Sequence, residues 1–251
     1  MTRPPPQRLG IAIAIAIAAR LSVAVLAIAA CSSPPPPPPP LTGHAAPDAP
    51  TSPEPTVAWV KRDIATTGLP AIAADGSSVV IAHRDNDGGR GNPNLTLIEK
   101  DRSDRTLKSH VVLTADEPDQ LTPAQIQDRL HAATAWLRER HTAKHLVPMT
   151  ALTMSKPTGV PAVGAGVAVR WSPNQLVIER QGGAPITRAT PATWLAPDHP
   201  MCRNCTEVCH NDAFLGAAFI DLERTLALIV VSYHGSDTCW EPSSQAHAVV
   251  W

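Results

Sequence analysis

The chain has 251 residues, 27 of them proline, with 21 basic against 22 acidic side chains. That near-neutral balance lacks the basic footprint of a nucleic-acid-binding protein. Fourteen of the prolines fall before residue 56, so the chain has two compositional halves, and only the second is long and apolar enough for a domain with its own core.

Residues 1–30 carry Arg3, Arg8 and Arg20 and no acid. The Ile-Ala repeat of residues 11–19 is broken by Arg20, and an uninterrupted run of ten apolar and small residues, Leu21 to Ala30, follows. Ten residues are too few to cross a bilayer, which needs about 20, but they suit the apolar core of an export signal. A single span from Gly10 to Ala30 would put Arg20 at mid-membrane, at a cost of about 2.5–3.5 kcal/mol or more.

The run closes on Ile28-Ala29-Ala30-Cys31, an aliphatic residue and two small ones before a cysteine. This resembles the lipobox of bacterial lipoproteins. The resemblance implies cleavage before Cys31 and acylation of its thiol, with two or three chains anchoring the protein firmly in a lipid bilayer. Ser32 at the next position implies sorting to the outer membrane, facing the periplasm or the exterior. Without residues 1–30, 18 basic residues face 22 acidic ones, a net charge of −4.

Residues 31–56 read as a linker. Pro34 to Pro40 is seven consecutive prolines, which adopt the extended polyproline helix, and no apolar periodicity follows. Fully extended at about 3.1 Å per residue, the spacer reaches on the order of 80 Å.

Residues 57–251 read as one α+β domain, mainly antiparallel β-sheet with one principal amphipathic helix. Val57 to Val60 opens a first strand. Pro70 to His83 reads as a hairpin turned at Asp75-Gly76, similar to strand pairs of β-propeller repeats, although no repeat of blade length follows it. Asp85 and Asp87, in the glycine-rich loop Asp85 to Asn92, offer carboxylates at alternate positions for calcium, but Thr96 stands where an EF-hand loop needs its acid. Leu95 to Lys100 and Val111 to Thr114 are further strands, the former with Leu95 and Leu97 inward.

Thr122, Pro123 and Gln125 form a capping box with proline in the first turn. Ile126, Leu130, Ala133 and Leu137 then share one helical face, and the helix is expected to run to about Lys144. His141 and His145 near its end are four apart, but lack the intervening glutamate of zinc proteases. Strands are expected at Val163–Trp171, with Gly164 and Gly166 marking a bulge, and at Gln175–Glu179, Phe214–Asp221, Thr225–His234 and Ala246–Trp251. Tyr233, Trp240 and Trp251 read as core or sheet-edge aromatics.

Four cysteines follow Cys31: Cys202, Cys205, Cys209 and Cys239. An even number outside the cytoplasm suggests two disulfides. The hairpin expected between Phe214 and His234 brings Cys239 opposite Cys205 or near Cys209. Pairing Cys205 with Cys239 and Cys202 with Cys209 avoids a strained two-residue loop. Zinc is an alternative, held by Cys202, Cys205, Cys209 and either His210 or Cys239. Another is haem, because Cys205-Thr-Glu-Val-Cys209-His210 is one residue longer than the usual c-type attachment sequence. His234-Gly-Ser236-Asp237 has hydrolase-like residue types without a nucleophile elbow.

No catalytic constellation or cofactor motif emerges. The sequence favours a membrane-anchored, non-catalytic binding or structural module that meets an envelope protein or cell-wall glycan. The alternative is an envelope enzyme, or a metal or redox protein using the Cys202–His210 cluster.

Overall fold

A computed structural model of the protein describes residues 52–84, 91–154, 161–194, 199–200, 208–209, 213–233 and 243–251. Short apolar runs punctuated by turn residues form the strands, and every strand pairing is antiparallel. Strands β1 (Thr56–Val60) and β2 (Asp63–Thr67) make a hairpin of their own. The expected hairpin at Asp75-Gly76 joins β3 (Ala71–Ile72) to β4 (Ser78–His83), with Ala71 opposite Val80. Gly76 has φ +70°, a left-handed backbone that calls for glycine in this turn.

β5 (Leu95–Asp101) and β6 (Thr106–Leu113) extend the meander. The helix α1 spans Pro123–Lys144 and opens with the capping box read in the sequence: Thr122 Oγ1 accepts from the Gln125 amide while Gln125 Oε1 accepts from the Thr122 amide. It stops at His145, whose left-handed backbone (φ +49°) caps it.

Two short strands follow, β7 (Val147–Pro148) and β8 (Thr150–Ala151). Next come β9 (Ala162–Gly164), β10 (Val167–Ser172), β11 (Gln175–Arg180) and β12 (Ile186–Ala189), which pair in sequence order. After a 3-10 turn at Ala192–Trp194 comes the backbone pair β13 (His199–Pro200) and β14 (Val208–Cys209). The chain ends on β15 (Ala213–Asp221), β16 (Leu226–Tyr233) and β17 (Ser243–Val250).

Three larger sheets result, in the orders β6-β5-β4-β3-β7, β17-β16-β15-β8 and β12-β11-β10-β9. They stack with the helix in four layers, and the alternation of side chains shows how. On the first sheet Val80, Leu95 and Leu97 face Ile126, Leu130, Ala133 and Leu137 of α1. Its other face gives Ile72, Val79 and Ile81 to a second core with Leu226, Leu228 and Ala248. The opposite face of that second sheet puts Ala227, Ile229 and Val231 against Val169, Leu176 and Ile178 of the third. A middle sheet is apolar on both sides, which explains the unbroken run Leu226-Ala-Leu-Ile-Val-Val231. Burying each large aliphatic of the helix stripe contributes at most roughly 1.5–3 kcal/mol.

The α+β reading holds as mostly antiparallel sheet with a single helix among the described residues. Four details differ from expectation. Gly164 does not mark a bulge within one long strand. It ends β9, and Ala165-Gly166, both at positive φ, turn the chain into β10. A bulge does occur in β15, between Leu215 and Ala217, where a Cβ on Gly216 would stand 2.1 Å from Ser232 Oγ. β6 begins five residues before the apolar run that signals it, because its first half is solvent-facing. Packing also reaches back into the proline-rich segment: Pro55 is buried beside Gly68, and Glu54 pairs with Arg138 at 2.7 Å.

Candidate functional site

The sequence-read candidates fall mostly outside the described residues. Cys31, Asp85, Asp87, Cys202, Cys205, His210, Cys239 and the segment His234–Asp237 all do, and Trp240 with them. Of Cys209 the structure gives only the backbone, paired with His199 in the β13–β14 ladder. His141 and His145 are described. His145 has left the helical conformation, so the two do not form an i, i+4 pair on one helical face. Among the described residues no three His, Cys, Asp or Glu side chains gather as metal ligands, and no helix is long and apolar enough to cross a membrane. Trp251 packs against the core between the second and third sheets, as a core aromatic should.

Two buried polar clusters carry no signal in the local sequence. The first lies between the helix and the first sheet. Alternation along β5 that turns Leu95 and Leu97 toward the helix turns Glu99 the same way, leaving it 2% exposed. Its carboxylate accepts from Ser78 Oγ at 3.0 Å and from Lys144 Nζ. Arg140 Nε sits 3.3 Å from the other carboxylate oxygen without hydrogen-bond alignment, so that contact is ionic. The Arg140 guanidinium lies over the Trp136 ring at 3.5 Å, and His110 stacks on Trp136 from farther out. Burial raises the Glu99 pKa, but the bonds from Lys144 and Ser78 and the charges of Lys144 and Arg140 outweigh it, so the group stays below the usual carboxylate range. This enclosed cluster clamps the C-terminal half of α1 to the sheet.

The second cluster sits where all three large sheets meet. The Asp101–Arg105 turn between β5 and β6 lifts Asp104 into a left-handed backbone (φ +64°), a conformation that aspartate tolerates. Its carboxylate then reaches the edge of the second sheet. Oδ1 accepts from the Ala248 amide at 2.9 Å and from Lys100 Nζ at 2.8 Å, and Oδ2 lies 2.7 Å from His247 Nδ1. β17 is an edge strand, so its outward amides need such a partner. Burial raises the Asp104 pKa, yet the donors His247, Lys100 and the Ala248 amide, with the Lys100 charge, hold it below the ordinary carboxylate value.

An ionised Asp104 makes His247 Nδ1 the donor of that bond and leaves Nε2 as the ring's other polar atom. That nitrogen is buried and has no hydrogen-bond partner among the described residues. The imidazole is itself buried and stacks on Trp194 at 4.1 Å, the planes 9° apart. Thus one carboxylate ties a turn of the first sheet to an edge of the second, and the histidine that it orients carries the tryptophan delivered after the third.

Trp194 and Asp104 also wall a groove of about 420 Å³. Its other lining includes Arg102, Arg188, Leu176, Pro191 and Val249. The volume suits a small ligand. Of two further hollows, a slot of about 240 Å³ has only Thr66 as a polar lining residue, and a wider one of about 560 Å³ lies across the β9–β10 and β11 ends. Of these three hollows, it is the groove that adjoins the charged, buried junction.

Sequence reasoning could flag the Lys100–Arg105 segment as an unusually charged turn between apolar strands. Nothing in the sequence pairs Asp104 with His247, 143 positions away. Compared with protein-family models, with curated proteins and with solved structures, the chain matches none.

Proposed function

We propose that the protein is a lipid-anchored lipoprotein of the bacterial cell envelope whose globular part is a non-catalytic binding module, with the groove beside Trp194 as its binding face. The observation that carries the binding reading is the three-sheet junction itself. Asp104 and Trp194 form a wall of the groove that Lys100 and His247 hold in place from behind, and a rigid wall lowers the ordering cost of binding. His247 supports a positioning role over an acid-base one, because its free nitrogen is sealed inside the fold and not presented to the groove's solvent. In this reading the amphipathic helix stiffens the first sheet from behind, and the proline-rich segment sets the module off from the bilayer. Ser32 after the acylated Cys31 directs the protein to the outer membrane, and the partners that fit are an envelope protein or the cell-wall glycan and its peptides.

The anchor is tested by expressing the chain with a clickable palmitate analogue. The wild-type protein is expected to take up label, to sediment with membranes and to begin at Cys31 by mass spectrometry. Cys31→Ser is expected to lose both label and membrane association. A labelled Cys31→Ser protein, or an unlabelled wild type, overturns the anchor. Mass spectrometry of the same sample with and without reductant counts the disulfides among Cys202, Cys205, Cys209 and Cys239. Free thiols holding a metal or haem would favour the metal or redox alternative.

A further inference from the structure

We infer that the groove beside Trp194 takes an organic carboxylate with a short apolar body, bound through Arg188; this rests on the binding-module reading above. The argument is one of charge balance and shape. Three ionic side chains line the groove: Arg102, Asp104 and Arg188. Asp104 is spent, since Lys100 Nζ, the Ala248 amide and His247 already share its two oxygens. Neither arginine forms an ion pair with a described residue. Arg102 donates from Nη2 to the Arg224 carbonyl at 3.3 Å, a neutral acceptor that leaves its charge uncompensated. Arg188 stands exposed on the edge strand β12, opposite Leu176, with its planar fork open.

The groove therefore has a positive excess that no carboxylate of its own cancels. A guanidinium fork matches the two oxygens of a carboxylate bidentately. Beside it the wall is small and apolar, formed by Leu176, Ala189, Pro191 and Val249. That surface suits a branched aliphatic group more than a sugar or a second charge. Trp194 cannot swing to fill the space, because His247 is stacked on it and tied to Asp104. The same chemistry is offered by a free acyl amino acid and by the C-terminal carboxylate of a wall peptide.

The test is a calorimetric titration of the purified full-length protein with N-acetyl-L-valine, and with N-acetyl-L-valinamide as its uncharged twin. The acid is expected to bind, the amide to bind about tenfold or more weakly, and the acid's affinity to fall as salt rises. Arg188→Gln, an exposed edge position that the fold does not need, is expected to lose about tenfold, and Arg188→Lys to fall between. Equal binding of acid and amide, an unchanged Arg188→Gln, or no binding of the acid overturns the inference. Co-sedimentation with purified peptidoglycan separates the two sources. Retention that Arg188→Gln abolishes supports a wall-borne carboxylate, whereas titration without retention supports a free one. Retention that Arg188→Gln leaves intact overturns this groove's role while the broader binding-module reading stands.

Discussion

Replacing Asp104 gives a sharp test of the three-sheet junction. Asp104→Ala removes the acceptor for three donors at once: Lys100 Nζ, His247 Nδ1 and the Ala248 amide. Lys100 is left with a side chain only 13% exposed and no counter-charge. Breaking one partner out of a buried ion pair costs about 3–5 kcal/mol. Asp104 is itself 23% exposed, so water relieves part of that loss and the lower end, about 3 kcal/mol, is expected. For a domain of this size that lowers the melting temperature by roughly 10 °C. Asp104→Asn keeps an oxygen for the Ala248 amide and loses the charge, so about half of that effect is expected.

The pH dependence has a definite sign. A carboxylate whose folded pKa is depressed stabilises the fold above its unfolded pKa, near 4, and loses that contribution as pH falls through the folded value. Urea unfolding of the wild type and Asp104→Asn, followed by tryptophan fluorescence at pH 7 and at pH 3, should show the gap between them narrowing at low pH. The denaturant slope should stay unchanged. A gap below about 0.5 kcal/mol at pH 7, or one that does not change with pH, would refute the junction as described.

Glu99→Gln should destabilise by about 3 kcal/mol, since it leaves Arg140 and Lys144 facing a neutral amide in a buried setting, and a thermal melt within 1–2 °C of wild type contradicts that. Gly216→Ala should cost about 1–3 kcal/mol by driving a Cβ into Ser232 Oγ, and the double variant with Ser232→Gly should recover most of it in urea midpoints. His110 should titrate by NMR below the ordinary histidine value of about 6.5, because burial and then the charges of Arg140 and Arg129 disfavour its cation. Arg129→Gln should move that titration upward, and no movement would mean that the charge contribution is misplaced.

Signals that concern a few neighbouring residues could be read directly. The capping box at Thr122 and Gln125, the turn at Asp75-Gly76 and the stripe Ile126, Leu130, Ala133, Leu137 all depend on spacing within one or two turns of chain, and each is where the sequence put it. Arg140 shows where such reading stops. It continues the same helical stripe three residues after Leu137, and a count of apolar residues assigns it to solvent. The fold buries it because Glu99, forty-one positions earlier, alternates inward on β5. An apolar pattern cannot announce a buried charge, since what makes the burial tolerable is the partner and not the residue.

The groove follows the same logic at longer range. Asp104 looks like an ordinary turn residue and His247 like an ordinary polar interruption of a strand, and Trp194 sits in a segment with no periodicity at all. Each acquires a role only when the first and second sheets stack on the apolar faces of Ile81 and Leu228, and the second and third on those of Ile229 and Ile178. The hydrophobic faces therefore set the positions of the polar groups, and the polar groups in turn fix where the faces stop sliding. A carboxylate that accepts an edge amide and a ring N–H from adjacent residues on one strand permits one register between turn and strand. Shifting β17 by one residue past Asp104 would turn His247 away from Trp194 and flatten the groove's wall. Stability at this junction and ligand binding beside it are on this argument one property, so variants that weaken the first should weaken the second in the same order.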